Sequence, residues 1–224
     1  MLTVHHLNNS RSQRVLWLLE ELGVPYEIRR YQRDAKSMLA PPELKAVHPL
    51  GKSPVITEGR VTVAESGAIV EYLLDTHDAQ RALRGAAGTP ERRRFTYWLH
   101  YAEGSAMAPL LLALVFGKVA SAPMPFFARP GARAIAAGAM KSFITPQIEL
   151  HLDYMEAELA AFPWFAGRSF SAADVQMSFP VEAAAAHGML AGRRPHLAAF
   201  LKKIQARAAY RRALAAGGPY DLSA

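Results

Sequence analysis

A small mixed α/β unit followed by an all-α unit is the fold class that the sequence predicts. Val55-Ile56-Thr57 and Val61-Thr62-Val63 are β-branched runs joined through Glu58-Gly59, a hairpin signal. A strand pattern at Leu2–Leu7 leads into helical spacing at Val15, Leu18, Leu19 and Leu22, closed by Gly23 and Pro25. Beyond Thr89 the periodic segments are helical, without a strand pattern.

In the first strand Leu2, Val4 and His6 share one face and Thr3, His5 and Leu7 the other. Asn8, Asn9 and Ser10 make a polar turn with several helix caps before the first helix. Tyr26–Tyr31 reads as a second strand, parallel to the first across a right-handed crossover. From Gln32 to Leu50 the chain is polar and proline-broken, with a short helix near Glu43. The hairpin follows, with Pro54 at the first residue of its strand, a position that a sheet tolerates. A helix from about Ser66 to Thr76 completes the unit, with Ser66 as its N-cap.

The expected division is residues 1–78, a linker at 79–88 and a helical unit at 89–224. Thr89-Pro90-Glu91 starts a helix with a cap, a proline and an acid, and Phe95, Trp98, Leu99 and Ala102 line one face. Pro109 is expected to kink or end that helix. Pro123, Pro125 and Pro130, beside Met124, Phe126 and Phe127, form an apolar loop. Helices over about Ala132–Phe143 and Pro146–Ala161 come next. Ser171-Ala172-Ala173-Asp174 is a capping pattern, with Phe170 placed to staple onto Val175. That helix runs to Gly188 with Pro180 inside it, and the last two start near Pro195 and Ala208.

Composition narrows the function classes. At 224 residues and 51% hydrophobic content, the chain can build a sizeable core in one or two domains. The absence of cysteine excludes disulfides, a thiol nucleophile and thiolate metal sites. No run approaches the ~18 apolar residues of a membrane span. The longest, Ala108 to Phe116, is interrupted by Pro109. No basic-then-apolar signal segment opens the chain, so a soluble cytoplasmic protein is expected. The net charge of +7 is spread over separate clusters, among them Arg92-Arg93-Arg94 and Arg211-Arg212. Solvated helix faces account for these, and neither nucleic acid nor membrane is an expected partner. His5 and His6 point to opposite faces of a strand, and no metal site is expected.

The region from His48 to Leu73 carries the binding chemistry. Glu65, Ser66 and a helix N-terminus gather at one end of the hairpin, with Lys52 and Pro54 at the start of its first strand. A carboxylate, a hydroxyl, an ammonium and a helix dipole at one place suit a small zwitterionic ligand.

The chain resembles the cytosolic glutathione transferases along nearly its full length. The resemblance rests on Asn8-Asn9-Ser10-Arg11-Ser12-Gln13-Arg14-Val15, on Gly51-Lys52-Ser53-Pro54-Val55-Ile56, on Ala64-Glu65-Ser66-Gly67-Ala68-Ile69 and on Phe170 to Asp174. Tyr97 to Ser105 looks like a bacterial and fungal branch. The resemblance implies a thioredoxin-like N-terminal domain with a βαβαββα order and a mixed four-stranded sheet, then a helical-bundle domain. It also implies a homodimer, glutathione as co-substrate and a role in detoxification. It assigns Glu65 to the glutathione ammonium, Ser66 to its α-carboxylate, and Lys52 with Ser53 to the glycine end. Pro54 resembles the family's cis-proline, with the Val55 backbone receiving the peptide as an added strand.

The glutathione thiol must also be activated. Ser10, four residues before Arg14, resembles the activating residue of the Ser-type members and would donate a hydrogen bond to the thiolate. Asn8, Asn9, Arg11 and Ser12 remain rivals. Asn9, Arg11, Tyr101, Met107 and Phe116 are candidates for the second-substrate pocket. The expected activity is conjugation of glutathione to a hydrophobic electrophile. Glutathione-dependent peroxide or disulfide reduction, and a non-enzymatic interaction module on the same fold, are the alternatives.

Overall fold

The computed structural model describes residues 1–34 and 37–222. Residues 35 and 36 of the polar segment after the second strand, and 223 and 224 of the helical unit, lie outside the described residues. The order is β1 (Leu2–Leu7), α1 (Ser12–Leu22), β2 (Tyr26–Tyr31), α2 (Glu43–Val47), β3 (Val55–Glu58), β4 (Val61–Ala64) and α3 (Ser66–His77). The helical part follows as α4 (Pro90–Tyr101), α5 (Met107–Ser121), α6 (Arg129–Ala139), α7 (Thr145–Ala161), α8 (Ala172–Ala186), α9 (Pro195–Gln205) and α10 (Ala208–Gly217).

The four strands form one mixed sheet in the order β2-β1-β3-β4, the thioredoxin-like arrangement. β1 pairs with β2 in parallel, from Leu2 opposite Tyr26 to Leu7 opposite Tyr31, and antiparallel with β3. Alternation along β1 sets what each face meets. Leu2 and Val4 are buried in the main core, and His6 continues their face toward α1. His5 and Leu7 face the other side, where Leu7 packs with Tyr31 and Leu44 of α2. α1 is buried from Ser12 to Leu19 and ends at Gly23, whose φ of 66° is the left-handed C-cap and whose N–H donates to the Leu19 carbonyl.

One core runs through both parts of the chain. Val4, Leu16 and Ile69 belong to the same buried cluster as Trp98, Val175 and Tyr210. α1 is therefore a core helix between the sheet and the helical bundle, and its N-terminus is held from both sides.

Several local expectations shift. The strands end and begin around Gly59-Arg60, so the hairpin turn lies one residue later than Glu58-Gly59, with Gly59 at φ 58°. Ser66 is the first residue of α3, and Glu65 is the capping residue at φ 69°. Pro109 does not end its helix. A π-helical turn at Ala102–Ala106 joins α4 to α5 and places Pro109 as the third residue of α5, so the helix widens just ahead of the proline instead of ending there. A second π turn at Met140–Ile144 joins α6 to α7 in the same way, so the two separate helices expected there are continuous. As a result the helical stretch Pro90–Ser121, 32 residues long, meets the length and composition test for a membrane span that no run of sequence suggested. Only 17% of its apolar window is buried, although Phe95, Trp98 and Leu99 near its start are in the core. Phe170 packs against Trp17, Trp164 and the Arg207 guanidinium. The capping pattern itself is present: the Asp174 carboxylate accepts from the Ser171 N–H at 2.9 Å and from the Phe165 N–H at 2.8 Å.

Candidate functional site

The N-terminus of α1 is where the predicted residues converge. Ser10 is buried, and its Oγ accepts from the Ser12 N–H at 3.3 Å, so it acts on the first turn of a helix whose formal cap is Arg11. Ser10 Oγ lies 2.8 Å from Ser12 Oγ and donates to Ser53 Oγ at 3.4 Å. Ser53 in turn donates to the His5 carbonyl at 3.0 Å, which ties the loop before β3 to β1. The Ser53–Pro54 bond is cis. Asn9 stands at φ 48°, a conformation Asn tolerates, and its Oδ1 accepts from the Asp221 N–H at 2.8 Å.

Val55 does not fit the part assigned to it. It sits inside β3, opposite His5 on one side and Ala64 on the other, so both of its edges face strands already in the sheet. Ser53, just outside the strand, is the neighbouring residue not held in a ladder. Lys52 beside it is exposed.

A charged network that the sequence reading did not pick out links this region to the helical unit. Arg14, 2% exposed, donates to Ser66 Oγ at 2.8 Å, to the Gln176 carbonyl of α8 at 2.6 Å, and to Glu103. Glu103 lies in the first π turn and also accepts from Arg11 Nε, at 2.9 Å to each oxygen. Burial by itself would raise the Glu103 carboxyl, but the two guanidinium groups more than offset that and hold it below the usual carboxylate range. Burial lowers Arg14, with Glu103 opposing. The Arg11 guanidinium lies over the Phe179 ring of α8 at 4.7 Å. Ser66 Oγ is thereby engaged as an acceptor, which leaves its own proton to donate. Glu65, exposed at the end of α3, stands at the mouth of the same region.

The pocket candidates divide. Arg11 lies against Glu103 and Phe179, and Met107 is about one turn beyond Glu103 along the helix. Tyr101 is buried on α4 against α7, bonded to His151 Nδ1 at 2.5 Å and stacked on Tyr97. Phe116 lies nine residues beyond Met107 in α5, about 13 Å along the axis. Behind Ser10, Ser12 Oγ is 2.9 Å from His6 Nδ1. His5 on the opposite face bonds Tyr31 and Thr57, and burial, then Arg29, lowers it. Among the described residues no group of three His, Cys, Asp or Glu side chains is arranged to hold a metal ion.

The geometry has close counterparts. A family model described as the N-terminal domain of glutathione S-transferase matches residues 1–75. Glutathione S-transferase 3 of Schizosaccharomyces pombe is 38% identical over 185 residues, covering 82% of this chain and 74% of the relative. Glutathione S-transferase 1 of Saccharomyces cerevisiae is 35% identical, covering 82% and 81%. Among solved structures, a glutathione S-transferase from Actinobacillus pleuropneumoniae superposes with a TM-score of 0.83 at 32% identity, over 100% of this chain and 96% of the other. A sphingomonad glutathione S-transferase complexed with glutathione has a TM-score of 0.73 at 25% identity, over 96% and 98%.

Proposed function

From the premise that this chain belongs to the glutathione S-transferase family and is a glutathione transferase, we propose that it activates the glutathione thiol at Ser10 and adds the thiolate to a hydrophobic electrophile. The observation that carries this reading is the position of Ser10 Oγ: at the N-terminus of α1, 3.4 Å from Ser53 Oγ in the loop that leads into β3. A free thiol has a pKa near ~8.5, and lowering it by two units requires about 2.7 kcal/mol of anion stabilisation. A hydrogen bond to a charged group contributes roughly 1.5–3 kcal/mol and a helix N-terminus roughly 0.3–1 kcal/mol, so one hydroxyl at this helix end suffices.

The peptide is held in a row of complementary groups. Glu65 receives the ammonium, Ser66 donates its free proton to the adjacent α-carboxylate, Ser53 meets the cysteine backbone, and Lys52 takes the glycine carboxylate. Arg14 and Glu103 stay out of the row and hold Ser66 in place from behind. The division of labour is between residues 1–78, which bind glutathione, and residues 89–224, which supply the second wall, with Met107 and Phe179 facing Arg11 as its lining. The working unit is a homodimer in the cytoplasm, whose second copy covers the exposed apolar side chains Leu111, Leu112, Val115 and Val119 of α5.

Replacing Ser10 tests the reading. Ser10→Ala is expected to lower kcat/KM for conjugation about 100-fold. The KM for glutathione should change less than about threefold, because Ser10 acts on the thiolate and not on the peptide. Unchanged turnover across a panel of aryl halides, epoxides and enones would remove Ser10 from the mechanism. A panel in which peroxides or disulfides are turned over faster than every electrophile would assign the thiolate to reduction instead.

A further inference from the structure

Thiolate formation releases a proton, and the residues behind Ser10 form a path for it. Ser10 Oγ is 2.8 Å from Ser12 Oγ, and Ser12 Oγ is 2.9 Å from His6 Nδ1. All three side chains are buried, Ser12 completely, so this path does not run through bulk water. The Gly217 carbonyl, at the end of α10, acts on the ring as an acceptor and favours its protonated form. Nδ1 faces Ser12, and with the ring hydrogen on Nε2 that nitrogen accepts from the Ser12 hydroxyl. α10 approaches α1 closely here: a Cβ on Gly217 would come 2.3 Å from Gln13 Oε1 and displace that side chain. The other charge acting on the ring is Arg30, its register partner on β2. Burial, then Arg30, lowers the affinity of His6 for a proton, so the ring is neutral and able to accept at neutral pH.

We propose that His6 takes up, through Ser12 and Ser10, the proton that the bound glutathione thiol gives up. The inference rests on Ser10 as the residue facing the thiol. As the S–H bond breaks, its proton passes to Ser10 Oγ, Ser10 passes its own to Ser12 Oγ, and Ser12 passes its own to His6 Nδ1. Both hydroxyls are regenerated, and a neutral thiol and a neutral imidazole become a thiolate and an imidazolium. The direction of the chain reverses in the process. The Ser10 proton, which faces Ser53 Oγ at 3.4 Å, must first turn to Ser12, whose own proton points to His6; before transfer Ser12 thus offers its lone pairs to Ser10, in competition with the sulfur. Afterwards His6 donates to Ser12, Ser12 donates to Ser10, and the Ser10 proton is committed to the thiolate. His6 and Ser12 are thus positioning residues that act through Ser10. Each charge favours the other, which couples the protonation of His6 to the presence of the thiolate.

The coupling is measured by ring-nitrogen NMR of His6, its signal assigned by its absence in His6→Gln. With glutathione bound, His6 is expected to titrate at least about one pH unit higher than in the free enzyme, a tenfold gain in proton affinity. S-methylglutathione fills the same site without forming a thiolate and should leave His6 where it titrates in the free enzyme. Ser12→Ala should abolish the difference and raise the pKa of the bound thiol, read from the ultraviolet absorbance of the thiolate, with the KM for glutathione within about twofold of the parent. Identical His6 titration with the two ligands, while Ser10→Ala still raises the thiol pKa, would overturn the relay and leave Ser10 standing. A thiol pKa unmoved by Ser10→Ala would overturn both.

Discussion

Arg14 carries a charge that has lost nearly all contact with water, and Glu103 is the carboxylate that compensates it. Removing one partner of such a pair leaves the other buried and unpaired, a cost of roughly 3–5 kcal/mol in a closed interior. Glu103 is about one-third exposed, so Glu103→Ala is expected to destabilise by about 2–3 kcal/mol, measured by urea unfolding, and Glu103→Gln by less. A loss below about 0.5 kcal/mol for Glu103→Ala would mean that water replaces the carboxylate. Glu182 makes a different prediction. It accepts from Tyr210 at 2.5 Å and Tyr220 at 3.0 Å, and burial pushes its pKa up to about 7. In the unfolded chain a glutamate titrates near ~4.3. Folding therefore favours the protonated form, so this contribution is complete below pH ~4 and is lost as pH climbs through about 7. Melting temperature should fall between pH 5 and 8, and Glu182→Gln should flatten that slope by an amount worth roughly 2 kcal/mol. An identical slope in the variant would reject it. Ser10, Ser53, Glu65 and Ser66 could be proposed from the sequence because they stand in short contiguous motifs, and Ser12 as a rival to Ser10. The pairing of Arg14 with Glu103 could not, because it depends on contact between elements as far apart as α1 and the first π turn.

At the scale of the element, the order of strands and helices could be read because hydrophobic period and turn residues are local signals. The N-terminus of α8 is the clearest case: Ser171 and Asp174 are three residues apart, and the carboxylate accepts from two backbone N–H groups and the Ser171 hydroxyl. Asp174→Ala leaves those buried donors unmet and is expected to cost about 2–4 kcal/mol in chemical denaturation. Ser171→Ala, which removes the 3.1 Å hydroxyl contact and the Ser171 half of the capping box, should cost about 1 kcal/mol. A reversed ranking would show that the hydroxyl, not the carboxylate, holds the cap. The two π turns were illegible for the opposite reason. A proline marks a place where an N–H is missing, but whether the chain breaks or widens there depends on what the flanking helices pack against. Met107 N–H reaches the Ala102 carbonyl across the wider turn, two residues before Pro109. The same turn presents Glu103 to Arg14 and Arg11, so it is both a joint in the helix and the support of a site residue.

At the scale of the whole molecule, α5 is the element that a single copy leaves uncovered. Leu111 is 53% exposed, Val115 46%, and Val119 39%, a stripe with four-residue spacing down one side of the helix. Leu112 and Leu114 widen it, while Leu110, Ala113 and Phe116 on the inner side pack against the core. Periodicity alone could not reveal this, because an apolar residue is written the same way whether it faces the core or a partner. Apolar patches beyond a few hundred Å² are rare on monomers and mark surfaces that another body covers. A second copy is the occupant that family membership favours, and it explains why α5 stays apolar nearly all round. Light scattering should give twice the 24.5 kDa chain mass. Val115→Arg combined with Leu111→Arg should place unpaired charges at the centre of the interface and weaken association at least about 100-fold. Ser10 and Arg14 lie on α1 and its approach, so these variants should still fold and still bind immobilised glutathione. A parent chain that is monomeric and sediments with lipid vesicles would reassign the stripe to a membrane surface, the other reading that the length and composition of Pro90–Ser121 permit. A monomer that ignores vesicles would leave the stripe as the second wall of the electrophile site, and conjugation of bulky apolar substrates would then fall in the arginine variants.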